Sequence, residues 1–173
     1  MKFFHGFSLL NEEMFFTPFV QESTYSVYGF SYGAIKALSY TQQQVAAFQR
    51  VDKLILLSPA FFQTKSERFK QLQLRGFKKN PKNYLDNFIQ ACFAPYPMQD
   101  VTLQCGTKEE LEELLYYVWD SAAIERLQQS GVSVEVYLGG EDRIIDPQGA
   151  FEFFSSLCDV TLIQDANHFL QSH

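Results

Sequence analysis

With 173 residues, 46% of them apolar, the chain carries enough hydrophobic side chains for one sizeable core, and a single domain spanning 1–173 is the expectation. Twenty Asp and Glu against 14 Lys and Arg leave a formal net charge of −6, which argues against nucleic-acid binding as a property of the whole protein. No apolar run approaches the roughly 20 residues of a membrane span. Met1-Lys2-Phe3-Phe4-His5-Gly6 is too short an apolar start for a signal peptide, so a cytoplasmic protein is expected.

In chain order, Lys2 to His5 reads as a short strand and Thr24 to Tyr28 as a second, followed by a helix over Tyr32 to Phe48. Lys53-Leu54-Ile55-Leu56-Leu57 is an unbroken apolar run, as expected of a central strand covered on both faces. Helical patterns follow over Lys65 to Leu74, Pro81 to Phe93 and Lys108 to Gln129, the last with a break near Trp119. Val132 to Leu138 alternates more and is placed nearer an edge; a helix over Pro147 to Leu157 and a strand over Val160 to Ile163 complete the order. Pro81 and Pro147 suit first helical turns, and Thr107 with Glu110 has the spacing of a capping box. Strands alternating with helices predict an α/β architecture, a mainly parallel sheet of about five strands with right-handed crossovers.

The interval from Ala60 to Asp120 contains no strand pattern, so a helical insertion at about 61–120 is expected to stand above the sheet as a cap on the same core. Its aromatic residues Phe61, Phe62, Phe77, Tyr84, Phe88, Phe93 and Trp119 are read as packing. Cys92, Cys105 and Cys158 lack any C-x-x-C or Cys/His ligand spacing and are read as reduced thiols.

Chemistry concentrates at Gly29-Phe30-Ser31-Tyr32-Gly33, between the second strand and the helix it opens. In that context G-x-S-x-G forces the serine onto a tight strand-to-helix turn, and the flanking glycines remove side chains that would collide. Ser31 is therefore the candidate nucleophile, and the Tyr32 amide, at a helix N-terminus, is a candidate oxyanion donor. A nucleophilic serine needs a base. His168 lies just past the last strand, in Asp165-Ala166-Asn167-His168, and is preferred to His173 near the chain end and to His5. The acid that orients the base is expected after the fourth strand, in Gly139-Gly140-Glu141-Asp142-Arg143. Asp142 fits best there, with Asp146 and Glu141 close enough to compete. His5-Gly6-Phe7 ends the first strand and should supply a second oxyanion donor, the Phe7 amide, with His5 tying down the glycine loop by hydrogen bonding.

His5-Gly6-Phe7, Gly29-Phe30-Ser31-Tyr32-Gly33, Gly139 with Asp142, and Asn167-His168 together resemble α/β-hydrolases of the pimeloyl-acyl-carrier-protein methyl ester esterase group. Leu57-Ser58-Pro59-Ala60 and the stretch from Phe69 to Phe88 extend the resemblance over nearly the whole chain, toward the small BioV type. The resemblance implies a reduced α/β-hydrolase fold, with strands lying in sequential order. It also implies hydrolysis of the distal methyl ester of a pimeloyl chain held on an acyl-carrier protein, with no cofactor or metal. General short-chain carboxylesterase and acyl thioesterase activities use the same residues, and a hydrolase-like binding module without catalysis is the alternative of another class.

An acyl-carrier protein is strongly acidic, and a net-negative enzyme needs a local cationic surface to receive it. Lys65, Arg68, Lys70, Arg75, Lys78, Lys79 and Lys82 place half of all the basic residues within one short interval opposed only by Glu67, and are the candidate docking surface.

Overall fold

The computed structural model describes residues 1–20 and 23–172; His173 lies outside them. Five strands, β1 (Lys2–Phe4), β2 (Ser26–Phe30), β3 (Lys53–Leu57), β4 (Ser133–Gly139) and β5 (Asp159–Ile163), pair in the order β1-β2-β3-β4-β5. Every neighbouring pair is parallel. Parallel neighbours cannot be joined by a hairpin, so each connection crosses over the sheet. A 3-10 helix (Glu12–Phe19) lies between β1 and β2, and α1 (Tyr32–Ala46) between β2 and β3. Four helices separate β3 from β4: α2 (Glu67–Lys79), α3 (Pro81–Phe93), α4 (Lys108–Tyr116) and α5 (Ser121–Gln129). The last, α6 (Pro147–Ser155), joins β4 to β5.

The apolar run of β3 explains the layering. Leu54 and Leu56 point into one cluster with Val27, Val134, Val136 and the inner faces of α1, α5 and α6. Ile55 and Leu57, alternating with them, point to the opposite face against Tyr28, Phe30, Phe16, Phe93 and Phe169. Burial of each such side chain stabilises the fold by about 1.5–3 kcal/mol. Leu74, Phe77, Leu85, Leu111, Leu114 and Leu115, from α2, α3 and α4, belong to the first cluster, so the helical insertion shares the core of the sheet.

Local signals set most boundaries. Asn80 caps α3 through Asn83 N, with Pro81 in its first turn, and Thr107 and Glu110 close the capping box of α4 reciprocally. The pattern over Lys108 to Gln129 divides into α4 and α5. Between them Trp119 donates its indole N–H to Ala60 O (2.9 Å), and Asp120 caps α5 through Ala122 N. The helix expected to end at Leu74 runs on to Lys79, because Leu74 and Phe77 are both buried and packing carries the backbone through Gly76. The 3-10 helix was not anticipated; its residues lack a clean period, and it is held by Phe16, which is fully buried. The three cysteines are free. Among the described residues no helix is long and apolar enough to cross a membrane.

Candidate active site

Ser31 sits where β2 turns into α1, with φ 52° and ψ −115°. A non-glycine residue in this region is held there at a cost of about 1–3 kcal/mol by its surroundings. Its amide donates to Leu57 O (3.0 Å), while its carbonyl accepts from Ala34 N (3.1 Å) and Ala60 N (3.0 Å). The neighbouring glycines leave the room this turn needs. A Cβ on Gly29 would collide with the backbone of Gly33 and Ala34, and one on Gly33 with the carbonyls of Phe4 and His5. The end of β1 is thereby pressed against the start of α1.

His168 and Asp142 arrive from the loops after β5 and β4. The two loops are stitched together by Gly140 N to Ile163 O (2.8 Å) and Glu141 N to Ala166 O (2.9 Å). His168 Nδ1 lies 2.6 Å from Asp142 Oδ2, and its Nε2 lies 3.0 Å from Ser31 Oγ. An ionised carboxylate only accepts, so Nδ1 carries the proton and Nε2 presents its lone pair to the serine hydroxyl. The other carboxylate oxygen, Oδ1, accepts from Ile144 N (2.7 Å) and Ile145 N (3.2 Å), which fixes the acid before it meets the histidine. All three side chains are buried. Asp146 is engaged elsewhere, capping α6 through Gly149 N and accepting from the Thr64 hydroxyl (2.6 Å), and Glu141 is exposed. The fully buried Asn167 anchors the histidine loop by donating to Phe93 O (2.9 Å) and accepting from Gln171 N (3.1 Å).

The loop after β1 faces Ser31 from the other side. Phe7 is buried, and its amide donates to no protein acceptor among the described residues. His5 does not hold this loop directly. Its Nδ1 lies 3.0 Å from Glu12 Oε2, and it is Glu12, through Oε1, that accepts the Gly6 N–H at 2.6 Å. Glu12 is fully buried, and that burial raises its carboxyl above the ordinary value. This residue escapes a reading of the sequence, since an acid seven positions after His5 carries no spacing signal. The loop is also fastened outward by Gln104 N to Ser8 O (3.0 Å) and Gly106 N to Ser8 Oγ (2.9 Å). Tyr32 reaches the insertion as well, donating its hydroxyl to Glu113 of α4 (2.6 Å); burial and that carboxylate raise the phenol's pKa.

No protein-family model and no curated protein matches the sequence. The fold does match solved structures. The esterase EaEST from Exiguobacterium antarcticum superposes with TM-score 0.69 and 13% identity over 96% of this chain and 84% of that one. BioG from Haemophilus influenzae gives 0.58 and 11% over 99% and 91%. Carboxylesterase NP, a naproxen esterase from Bacillus subtilis, gives 0.53 and 16% over 84% and 53%. The chain has an α/β-hydrolase fold. It spans little more than half the length of the larger Bacillus subtilis hydrolases of this fold that it matches.

In this hydrolase fold the insertion roofs a cavity of about 400 Å³ that reaches Ser31. Phe62, Phe69, Tyr84 and Phe88 line it together with Leu111, Leu114 and Leu115 of α4. Three aromatics read from sequence as packing, Phe62, Tyr84 and Phe88, thus line the cavity, whereas Phe61, Phe77, Phe93 and Trp119 are core. Arg143 is the one formally charged side chain among the described lining residues. Of the basic cluster, Arg68, Arg75, Lys78, Lys79 and Lys82 are exposed, and Lys65 is half-buried with its ammonium over the Phe69 ring. Lys70 departs from the expected docking surface: it is 9% exposed, with its ammonium 5.0 Å from the Tyr116 ring centre, a packing position that withdraws it from any partner.

Proposed function

We propose that this protein is a cytoplasmic serine carboxylesterase of the BioV type, which hydrolyses the methyl ester of pimeloyl-acyl-carrier protein in biotin precursor synthesis. The observation that carries the reading is the hydrogen-bonded line from Asp142 through His168 to Ser31, at a mainly apolar cavity. Likeness to two named esterases supports ester hydrolysis as the reaction.

In this reading Ser31 Oγ attacks the ester carbonyl as His168 Nε2 takes its proton, and Asp142 stabilises the resulting imidazolium through Nδ1. The oxyanion of the tetrahedral intermediate is received by the amides of Phe7 and Tyr32. Collapse expels methanol, which takes its proton from His168. Water then repeats the sequence on the acyl-enzyme and releases the carboxylate. Only protons and an acyl group move, so the scheme requires no cofactor or metal.

The surface beside the cavity supports a carrier-bound substrate. Arg68, Leu72, Arg75 and Lys79 recur at intervals of four, three and four along α2 and so share one face. Leu72 on that stripe also lines the cavity while remaining exposed, which places the mouth among cations. Lys78 and Lys82 continue the positive surface around the turn into α3, and Lys65 flanks its beginning. A carrier seated there would feed its acyl arm inward, bringing the distal ester to Ser31 and leaving the thioester outside.

The test is hydrolysis of pimeloyl-acyl-carrier-protein methyl ester by the native protein and by Ser31→Ala, beside a simple aryl ester. Turnover of the carrier substrate that disappears in the variant is the expected result. Cleavage of the aryl ester alone would remove the biotin-precursor assignment and keep the esterase.

A further inference from the structure

We propose that Glu12 is a positioning residue for oxyanion stabilisation: it holds the Gly6 amide and thereby sets the Phe7 amide against Ser31. The inference rests on the esterase reading above. Once β1 ends at Phe4, the chain from His5 to Phe7 leaves the sheet, and pairing resumes only beyond it, where Gln104 N donates to Ser8 O and Leu9 bridges to Leu103. It contains Gly6, the residue type with the widest backbone freedom, and is followed by Ser8 at φ 63°. The peptide unit that matters is the one between Gly6 and Phe7, because its two polar ends are the Gly6 carbonyl and the Phe7 N–H, locked in one plane. Leu9 N holds that carbonyl at 3.3 Å, a long bond unable to orient the plane alone. Glu12 Oε1 supplies the second point, gripping the Gly6 N–H at 2.6 Å. With both sides of Gly6 held, the Phe7 N–H keeps its direction before any substrate arrives, as an oxyanion donor must.

The surroundings of Glu12 tie it to the loop after β1. Its carboxyl is fully buried, and its raised pKa shows that burial outweighs the help of His5 and the backbone amides. The groups facing it are His5 Nδ1, the Gly6 amide and, beside His5, Glu13. Glu12 bonds to His5 and Gly6 and does not line the cavity, so its influence on the reaction passes through the loop.

The experiment compares Glu12→Ala and Glu12→Gln with the native protein on an aryl ester. It adds the affinities of a trifluoromethyl ketone, which forms an oxyanion on Ser31, and of the corresponding alcohol, which does not. Glu12→Ala is expected to lower kcat about 10- to 100-fold with KM within about twofold, a loss confined to the transition state. Ketone affinity should fall with kcat while alcohol affinity holds. Glu12→Gln, which keeps an acceptor for Gly6, should recover most of the rate. Should Glu12→Ala fail to fold, Glu12→Met fills a similar volume without an acceptor and serves in its place. Unchanged kcat and ketone affinity in a folded acceptor-less variant would overturn the inference, as would equal loss of ketone and alcohol affinity. A native protein that neither turns over the aryl ester nor is labelled at Ser31 by a phosphonate removes the esterase reading, and this inference with it.

Discussion

Asp142 and Asp146 stand four positions apart in one loop and are held by different partners, which makes them a matched pair for testing the site. Asp142→Asn leaves His168 without a pure acceptor for its Nδ1 proton, so the imidazole is no longer held in the tautomer that accepts from Ser31. kcat for an aryl ester is expected to fall by about 10³–10⁴-fold, as when a triad acid elsewhere becomes an amide. Asp146→Ala removes the cap of α6, costing about 1 kcal/mol in a denaturation curve while kcat stays near native. Glu12 makes a separate prediction. Its carboxyl is raised above its ordinary 4.5, so the folded protein binds that proton more tightly than the unfolded chain. The resulting stability is complete below the unfolded value and is lost as pH rises through the folded one. Denaturation measured upward from pH 4.5 should show that loss in the native protein and a shallower one in Glu12→Gln. At this scale the sequence made Ser31 and His168 legible, because a strained elbow needs flanking glycines and only three histidines compete. Chain distance leaves both Asp142 and Asp146 within reach, and they are separated only by their partners, His168 for the one and the Thr64 hydroxyl for the other. Glu12 had no local signature at all; its role exists only once the 3-10 helix folds back under β1.

At the scale of elements, capping chemistry and apolar runs were readable, and packing decided what they left open. β3, α3 and the capping box of α4 fall where their residues place them. The end of α2 does not, because burial of Leu74 and Phe77 carries the helix past the expected end at Leu74 to Lys79. The same helix separates two kinds of basic residue that sequence alone treats alike. Lys70 turns inward over Tyr116, while Arg75 and Lys79 lie on the exposed stripe with Leu72. Reversing Arg75 and Lys79 to Glu should raise KM for the carrier-bound ester by about tenfold or more, in a salt-dependent manner, with the aryl ester as comparison. Loss of equal size on both substrates would point to damage at the site instead of a docking defect.

At the scale of the whole molecule, strictly sequential parallel order has a cost in coverage. The helices of the connections after β2, β3 and β4 gather on one side, where α1, α5 and α6 share one cluster, as right-handed crossovers advancing in one direction require. The opposite face is covered by Phe16 of the 3-10 helix, Ile89, Cys92 and Phe93 of α3, and Phe169 and Leu170. Phe169 therefore follows the base in sequence and seals the fold in space, its ring packed on Phe30 and Phe93. Phe169→Ala is expected to cost about 3–5 kcal/mol in chemical denaturation.

The insertion is fastened on several sides, through Trp119 to Ala60, Glu113 to Tyr32, Gly106 to Ser8 and Phe93 to Asn167. A roof tied at both ends and along its sides has the build of a bridge. In the proposed esterase such a roof would act as a gauge: an ester with an unbranched acyl arm is expected to be cleaved faster than one with bulky side branches, a ranking that steady-state kinetics on the two esters checks.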